Sequence, residues 1–383
     1  MATYFATVAR GLEALAATEL ETLGAHRVEP GFCGVAFEGE TPDGPVSSDR
    51  ALLYRVNLWS RLAFRVLVKL GECPCYDADD LYQGIQSIDW RPYLTPDLTF
   101  AVDATGKNLR LNHTHFTALQ VKNAVVDQQR QHWGDRSTID TQHPEVRLNV
   151  HIQDDTCTIS LDSSGSSLHR RGYRPAVGAA PLKESLAAAL VKLTDWPGDV
   201  PLLDPLCGSG TLPLEASMVA LNMAPGLFRE EFGFQTWPDF DGELWDRLWQ
   251  EAEDGRKAAL ATWVGGCDRE LEIIHQANLN AQRCGLADQV TFWAADLADL
   301  EAPADSGYLL CNPPYGERLG ADDDLGAFYK LLGDVLKQRF KGWTAFVLSG
   351  NKELARHIGL KSAQRVPVYN GTLPCQWLKY ELY

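Results

Sequence analysis

The chain has 383 residues, 45% of them apolar and 22% charged. These are ordinary globular proportions for about two or three domains, and they exclude collagen, coiled coil and intrinsic disorder. The net charge of −16, from 35 basic and 51 acidic residues, argues against a general nucleic-acid binder, whose surface would be basic throughout. No run approaches about 18 uncharged apolar residues, so no membrane span is expected. The first ten residues lack the basic head and apolar core of a signal peptide. Nine scattered cysteines without a CxxC pair fit reduced thiols in a cytoplasmic protein and speak against structural zinc or another metal.

Leu12, Leu15, Ala16, Leu20 and Leu23 recur at helical spacing before Gly24, which predicts an amphipathic helix with a glycine stop. A turn-rich break follows at 41–45. A second helix is expected over about 49–70, with Leu52, Leu53, Val56, Leu62, Ala63 and Val66 on its apolar face. Residues 98–102 read as a strand and 114–131 as a helix. Residues 146–152 and 156–161 read as two strands joined at Asp154-Asp155, a hairpin. The first ~165 residues therefore have an α+β pattern.

Past Gly178 the pattern changes to α/β. A helix is expected over 181–193, with Pro181 in its first turn. Seven strands are expected at 200–203, 262–267, 290–294, 308–311, 344–348, 363–369 and 375–382, with a hairpin turn at Asn370-Gly371. Helices between them indicate an open, mostly parallel sheet closed by an antiparallel hairpin. The domain boundary is placed near 165–180, and residues 223–260 read as an insertion rich in acids and turn residues.

Four motifs fall at successive strand ends. Asp204-Pro-Leu-Cys-Gly-Ser-Gly-Thr211 leaves a buried strand and opens a helix. Gly208 and Gly210 let the backbone pass close to a ligand, and the helix start offers free N–H groups. Such a turn is also common as plain structure, but Asp204 stands where ligands sit in open α/β sheets. Asp268, in Gly265-Gly-Cys-Asp268, could accept two ribose hydroxyls or cap the next helix, and both roles can coexist. Asp296, followed by Leu297, could accept from an adenine amino group or be a surface acid. Cys311-Asn-Pro-Pro-Tyr-Gly-Glu-Arg-Leu-Gly320 is the most specific of the four. Two prolines make a rigid extended segment. It can aim the Asn312 side-chain oxygen and the Pro313 carbonyl at one planar amino group, while Pro314 leads into Tyr315, which can stack on a base.

This ordered set resembles the class I S-adenosylmethionine-dependent methyltransferases of the N/D-P-P-Y type. The resemblance implies a Rossmann-like seven-stranded sheet and S-adenosyl-L-methionine as cofactor. Gly208 and Gly210 would pass its methionine part, Asp268 would bind the ribose hydroxyls and Asp296 the adenine, with Asp204, Pro205, Cys207, Ser209, Thr211 and Leu297 also cofactor-binding. Asn312, Pro313, Pro314 and Tyr315 would be catalytic and hold the target amine. The stretches 57–67 and 112–127, with the hairpin after them, resemble a THUMP RNA-binding domain. With 168–174, 180–190 and the Asn-Pro-Pro-Tyr segment, the chain is similar to the bacterial guanine-N2 methyltransferases of large-subunit (23S) ribosomal RNA, in a single-module form. That implies a ferredoxin-like α+β piece over 1–48, a THUMP-like domain over 49–165 and a catalytic domain over 166–383. Expected partners are 23S rRNA or a large-subunit assembly intermediate. Transfer RNA is the nearest alternative, and a non-catalytic RNA-binding or assembly protein is a more distant one.

Arg170, Arg171 and Arg174, beside Tyr173, suit phosphate contact and base stacking, or else form an interdomain salt-bridge cluster. Lys107, Arg110 and Lys122 are further candidate RNA contacts. Counted by segment, the acidity is local. Residues 1–49 carry −6 and residues 230–254 carry −8, while 50–71 carries +5 without an acid. The expectation is a polarised molecule that meets RNA with few phosphate contacts.

Overall fold

The computed structural model describes residues 2–39, 46–174, 182–315 and 325–383, with the backbone alone at 46–48. The chain forms two compact units. The first comprises Met1–Val8, Ala16–Leu168 and Glu230–Gln250; the second comprises Ala9–Leu15, His169–Arg229 and Glu251–Tyr383. No described helix is long and apolar enough to cross a membrane.

In chain order the amino-terminal elements are β1 (Thr3–Val8), α1 (Glu13–Thr22), β2 (His26–Gly31), β3 (Gly34–Glu38), α2 (Val46–Trp59), β4 (Ala63–Pro74), α3 (Ala78–Gln86), β5 (Thr99–Lys107), α4 (Thr114–Trp133), β6 (Thr138–Ile139), β7 (Val146–Gln153) and β8 (Thr156–Asp162). Their eight strands make one sheet in the order β2-β3-β1-β4-β8-β7-β5-β6. Trp90, Phe100, Val121, Val125, Leu148 and Ile159 are central to its main core.

The helix expected over 49–70 is corrected. It stops at Trp59, and Ala63–Pro74 is strand β4. The cause is a buried acid on α1. Glu19 Oε1 accepts the Ser60 hydroxyl at 2.7 Å and the N–H groups of Arg61 and Leu62 at 3.1 and 3.2 Å. That fixes a turn where a helix would need those donors for itself. The spacing of Leu62, Ala63 and Val66 alone does not separate the two outcomes.

The stretch read as an insertion divides. Residues 230–250 belong to the first unit, where Phe232, Phe234, Phe240 and Trp245 gather around Tyr54 of α2. Tyr54 and Phe234 stack at 4.3 Å between centroids. The Phe234 N–H donates to Ser163 O at 3.0 Å. Two glycines permit this approach: a β-carbon on Gly233 would lie 2.8 Å from Gly165 N.

The second unit continues with α5 (Glu184–Lys192), β9 (Leu202–Asp204), α6 (Thr211–Ala220), α7 (Gly242–Asp254, whose start lies in the first unit), β10 (Val264–Asp268), α8 (Leu271–Arg283), β11 (Val290–Ala294), β12 (Tyr308–Cys311), α9 (Leu325–Arg339), β13 (Thr344–Ser349), α10 (Lys352–His357), β14 (Gln364–Asn370) and β15 (Leu373–Glu381). Its seven-stranded sheet has the order β11-β10-β9-β12-β13-β15-β14. The first five strands are parallel, and β15 runs antiparallel between β13 and β14. The expected α/β sheet with its closing hairpin is what forms. Leu203, Leu309, Val347 and Leu378 of the strands pack with Tyr329, Leu332 and Leu336 of α9. This order brings the carboxyl ends of β11, β10, β9 and β12 side by side, and each carries one of the four motifs.

Candidate active site

β9 ends at Asp204, which is only 2% exposed. Its Oδ1 accepts the Leu206 N–H at 3.0 Å. Burial holds its carboxyl well above the usual range; the Leu206 bond opposes this, and the neighbouring charge of Asp268 adds to it. The sign for stability follows. A carboxyl with a raised pKa in the folded state favours folding when protonated. Its contribution is complete below about pH 4 and is lost as pH rises through the folded value. The unfolding free energy of the ligand-free protein, measured by denaturant titration at several pH values, is therefore expected to fall upward from pH ~4 more steeply than that of Asp204→Asn. Parallel curves would show that Asp204 is not the group responsible.

The turn after Asp204 is tied to β10. Cys207 N–H donates to Cys267 O at 2.9 Å, and Gly208 N–H donates to Asp268 Oδ2 at 3.2 Å. Gly210 has φ +84°, and a β-carbon there would lie 2.7 Å from the Phe292 ring. Gly208 has φ +52°, and a β-carbon there would meet nothing within 4 Å, so space lies open beside the turn. Pro205 is buried, and its carbonyl accepts from the Cys267 thiol at 3.6 Å.

Asp268 is half-buried, and its Oδ1 accepts the Glu270 N–H at 3.1 Å, so it fastens the entry to α8 as well as the glycine turn. Asp296 is exposed and accepts the Ala298 N–H at 2.8 Å through Oδ1. The Leu297 side chain is 5% exposed and packs in the core with Leu203 and Leu309, which leaves its backbone as the part that could meet a ligand.

Asn312 lies just past β12, whose Leu309 pairs with Leu203 of β9. It therefore stands beside the Asp204 turn along the sheet edge. Its Oδ1 is buried and has no hydrogen-bond partner among the described residues. A buried amide acceptor without a donor is costly unless a ligand satisfies it. Tyr315 is only 6% exposed, and its hydroxyl accepts from Asn370 Nδ2 at 2.9 Å. The Tyr315 hydroxyl is thus tied to the β14–β15 hairpin. Gly316 through Asp324 lie outside the described residues.

One site residue carries no motif. Asn280, on the inward face of α8, is 1% exposed and donates from Nδ2 to Ser209 O at 3.0 Å, while its Oδ1 has no hydrogen-bond partner among the described residues. A polar residue among the buried positions Ile274, Ala277 and Ala281 is the signal that could have found it.

The basic residues separate differently from expectation. Arg170 is exposed. Arg171 is 1% exposed with Nε 3.6 Å from Glu215, and Arg174 is paired with Glu184 at 2.9 Å. This corrects both as RNA contacts, because a buried guanidinium bound to a carboxylate offers nothing to a phosphate. Lys107 is exposed and Lys122 half-buried, and Arg110 is exposed but pairs with Asp77 at 3.0 Å. The +5 stretch is similarly tied down. Arg50 pairs with Asp239 at 3.2 Å, Arg65 with Asp162, and Lys69 with Glu72 at 2.8 Å. Part of the acidic segment 230–254 thus answers this basic one.

Comparison with known proteins sharpens the picture. A family model described as an RMKL-like methyltransferase domain matches residues 171–379. A THUMP domain matches 75–162 and an RlmL ferredoxin-like domain matches 3–67. A Synechocystis protein named "Putative RNA methyltransferase slr0064" is 55% identical over 380 residues, covering 99% of this chain and 97% of its own. The "Ribosomal RNA large subunit methyltransferase K/L" of Syntrophotalea carbinolica is 43% identical over 390 residues. That alignment covers 99% of this chain but 53% of the relative, so the chain spans about half its length. Among solved structures, SMU.472, described as "a putative methyltransferase complexed with SAH", superposes with a TM-score of 0.88 at 30% identity, covering 100% of this chain and 98% of the other.

Proposed function

The chain belongs to the RMKL-like methyltransferase family, whose members use S-adenosylmethionine, and from that premise we propose that it methylates the exocyclic N2 amine of a guanine in large-subunit ribosomal RNA. The observation that carries the amine reading is the buried, unpartnered Asn312 Oδ1 on its rigid Pro-Pro segment beside the glycine turn. The residues present fit the cofactor. Open space lies beside Gly208, and Asp268 keeps lone pairs free after its two backbone bonds. Asp296 would accept from the adenine, and the buried Asp204 carboxyl and Asn280, which is bonded to the turn at Ser209, would serve the amino-acid end. When bound, the cofactor supplies an electrophilic methyl on a sulfonium with its own leaving group, so no covalent enzyme intermediate is required.

The protein's part is positioning and electrostatics. Asn312 Oδ1 and the Pro313 carbonyl accept the two N–H groups of the amine and turn its lone pair toward the methyl. The incipient positive charge on that nitrogen strengthens both bonds as the reaction proceeds, which favours the transition state over the ground state. The Asn370 bond to Tyr315 keeps the segment from relaxing. The THUMP and ferredoxin-like domains support RNA as the substrate class, and Arg170, Lys107 and Lys122 remain the candidate phosphate contacts.

The test is methyl transfer from labelled S-adenosylmethionine to protein-free large-subunit rRNA, assembled large subunits and tRNA, with the product mapped by mass spectrometry. N2-methylguanosine in large-subunit rRNA is expected. The same product in tRNA alone would sink the rRNA assignment, and cofactor binding with no transfer to any of the three would favour a non-catalytic role.

A further inference from the structure

Helix α6 starts at Thr211 directly after the glycine turn, and its N-cap, Gly210, has no side chain with which to cap it. The start of the helix is fixed from outside instead. Arg174 Nη1 donates to Thr211 Oγ1 at 3.0 Å, both terminal nitrogens of Arg174 donate to Leu182 O at 3.2 and 3.3 Å, and Nη2 meets Glu184 Oε1 at 2.9 Å. The two side chains are 12% and 5% exposed.

One turn further along the same helix face, Glu215 accepts the Tyr173 hydroxyl at 3.1 Å and lies 3.6 Å from Arg171 Nε. The segment Arg171 to Arg174 therefore grips α6 at Thr211 and Glu215, an i,i+4 pair. A cation at a helix N-terminus is electrostatically unfavourable. Its presence there calls for a neutralising partner, which Glu184 supplies, and for a reason to keep it. The planar fork explains the residue type: it reaches a hydroxyl, a carbonyl and a carboxylate at once, which an ammonium cannot do in fixed geometry.

We propose that Arg174, held by Glu184, is a positioning residue for the cofactor turn and acts through the Thr211 hydroxyl, so that Arg174 serves the cofactor rather than the RNA. The inference rests on the reading of 204–211 as the cofactor turn. It explains how the turn can leave its space open for a ligand and still be fixed: Arg174 braces the first residue of α6 and is itself held by Leu182 and Glu184.

The experiment measures SAH affinity by calorimetry for wild type, Arg174→Met, Thr211→Val, Thr211→Ser and the Arg174→Met/Thr211→Val pair. Affinity for protein-free large-subunit rRNA is measured in parallel across a salt series. Each of Arg174→Met and Thr211→Val is expected to weaken SAH binding about tenfold. The pair should be little worse than either alone, since both remove one interaction. Thr211→Ser keeps the hydroxyl and should recover most of the affinity that Thr211→Val loses, and RNA affinity and its salt slope should not change in any variant. Additive losses, unchanged SAH affinity, or a fall in RNA affinity alone would each overturn the bracing role. If Arg174→Met does not fold, Arg174→Lys, which keeps the charge facing Glu184 but loses the fork, replaces it in the cycle: a loss that adds to that of Thr211→Val overturns the proposal, and a loss that does not add upholds it. Wild-type protein that binds no SAH would instead overturn the cofactor reading itself, a failure visible before any variant is compared.

Discussion

Asn312→Ala is expected to slow methyl transfer at saturating cofactor by roughly tenfold to 150-fold, and to leave SAH affinity within about threefold of wild type. The magnitude is that of one hydrogen bond to a group acquiring charge, about 1.5–3 kcal/mol, at tenfold per ~1.4 kcal/mol. Any loss of alignment adds to it. The split between rate and affinity follows from place. Asn312 stands at the end of β12, whereas the backbone and carboxylates assigned to the cofactor stand at the ends of β9, β10 and β11. Stability should hardly change, because the amide oxygen has no described partner to lose in the free protein. Asn312→Asp keeps an acceptor and should retain part of the activity. Equal losses in rate and in SAH affinity for the alanine variant would contradict the role.

That prediction could be framed from sequence because the motif is local. A strand end, two prolines and an amide define the direction of one side chain without tertiary information. Because each parallel strand reads as a short apolar run bounded by turns, alternating helices and strands likewise gave the mostly parallel catalytic sheet and its closing hairpin, though not the order of its strands. The first sheet was less legible. Its edge strand His26–Gly31 has an exposed pattern, and β1 and β3 are short, with small residues such as Ala6 and Gly34 among their buried positions. The 49–70 error has the same origin: the turn at Ser60 is made by Glu19, about forty residues earlier.

The arginines show the limit most clearly. Charge and an adjacent tyrosine suggest phosphate and base, but they do not reveal whether a carboxylate waits nearby in space. Glu184 and Glu215 sit on separate helices, and both are buried. Burial raises the carboxyl of Glu184 while Arg174 opposes the rise, so the pair is a structural ion pair kept out of water. The same holds for the net charge. Read by segment it suggested a locally basic stretch at 50–71, yet Arg50 is answered by Asp239 and Asp241 from a stretch about 190 residues away. Local counting finds charges; only the fold says which are already paired.

Asp268→Ala should show the opposite kinetic signature to Asn312→Ala. Two ribose hydroxyls donating to a carboxylate contribute about 1.5–3 kcal/mol each, so SAH affinity should fall by roughly 10²- to 10⁴-fold. The KM for S-adenosylmethionine should rise with it, and kcat should change far less once cofactor saturates. Part of the loss comes from the protein itself, since Gly208 N–H and Glu270 N–H lose their acceptor. Asp268→Asn separates the two contributions: its single amide oxygen can keep one backbone bond, so it should fall between wild type and alanine. A further consequence tests the electrostatics. Asp268 is one of the groups pushing the Asp204 carboxyl upward, after burial. Removing it should ease ionisation of Asp204, and the loss of stability on raising pH from ~4 should become shallower than in wild type without disappearing, because burial remains. Unchanged SAH affinity in Asp268→Ala would remove it from the pocket. Unchanged pH dependence would show that the two carboxylates do not share a field, even though Asp268 binds the backbone of the turn that Asp204 begins.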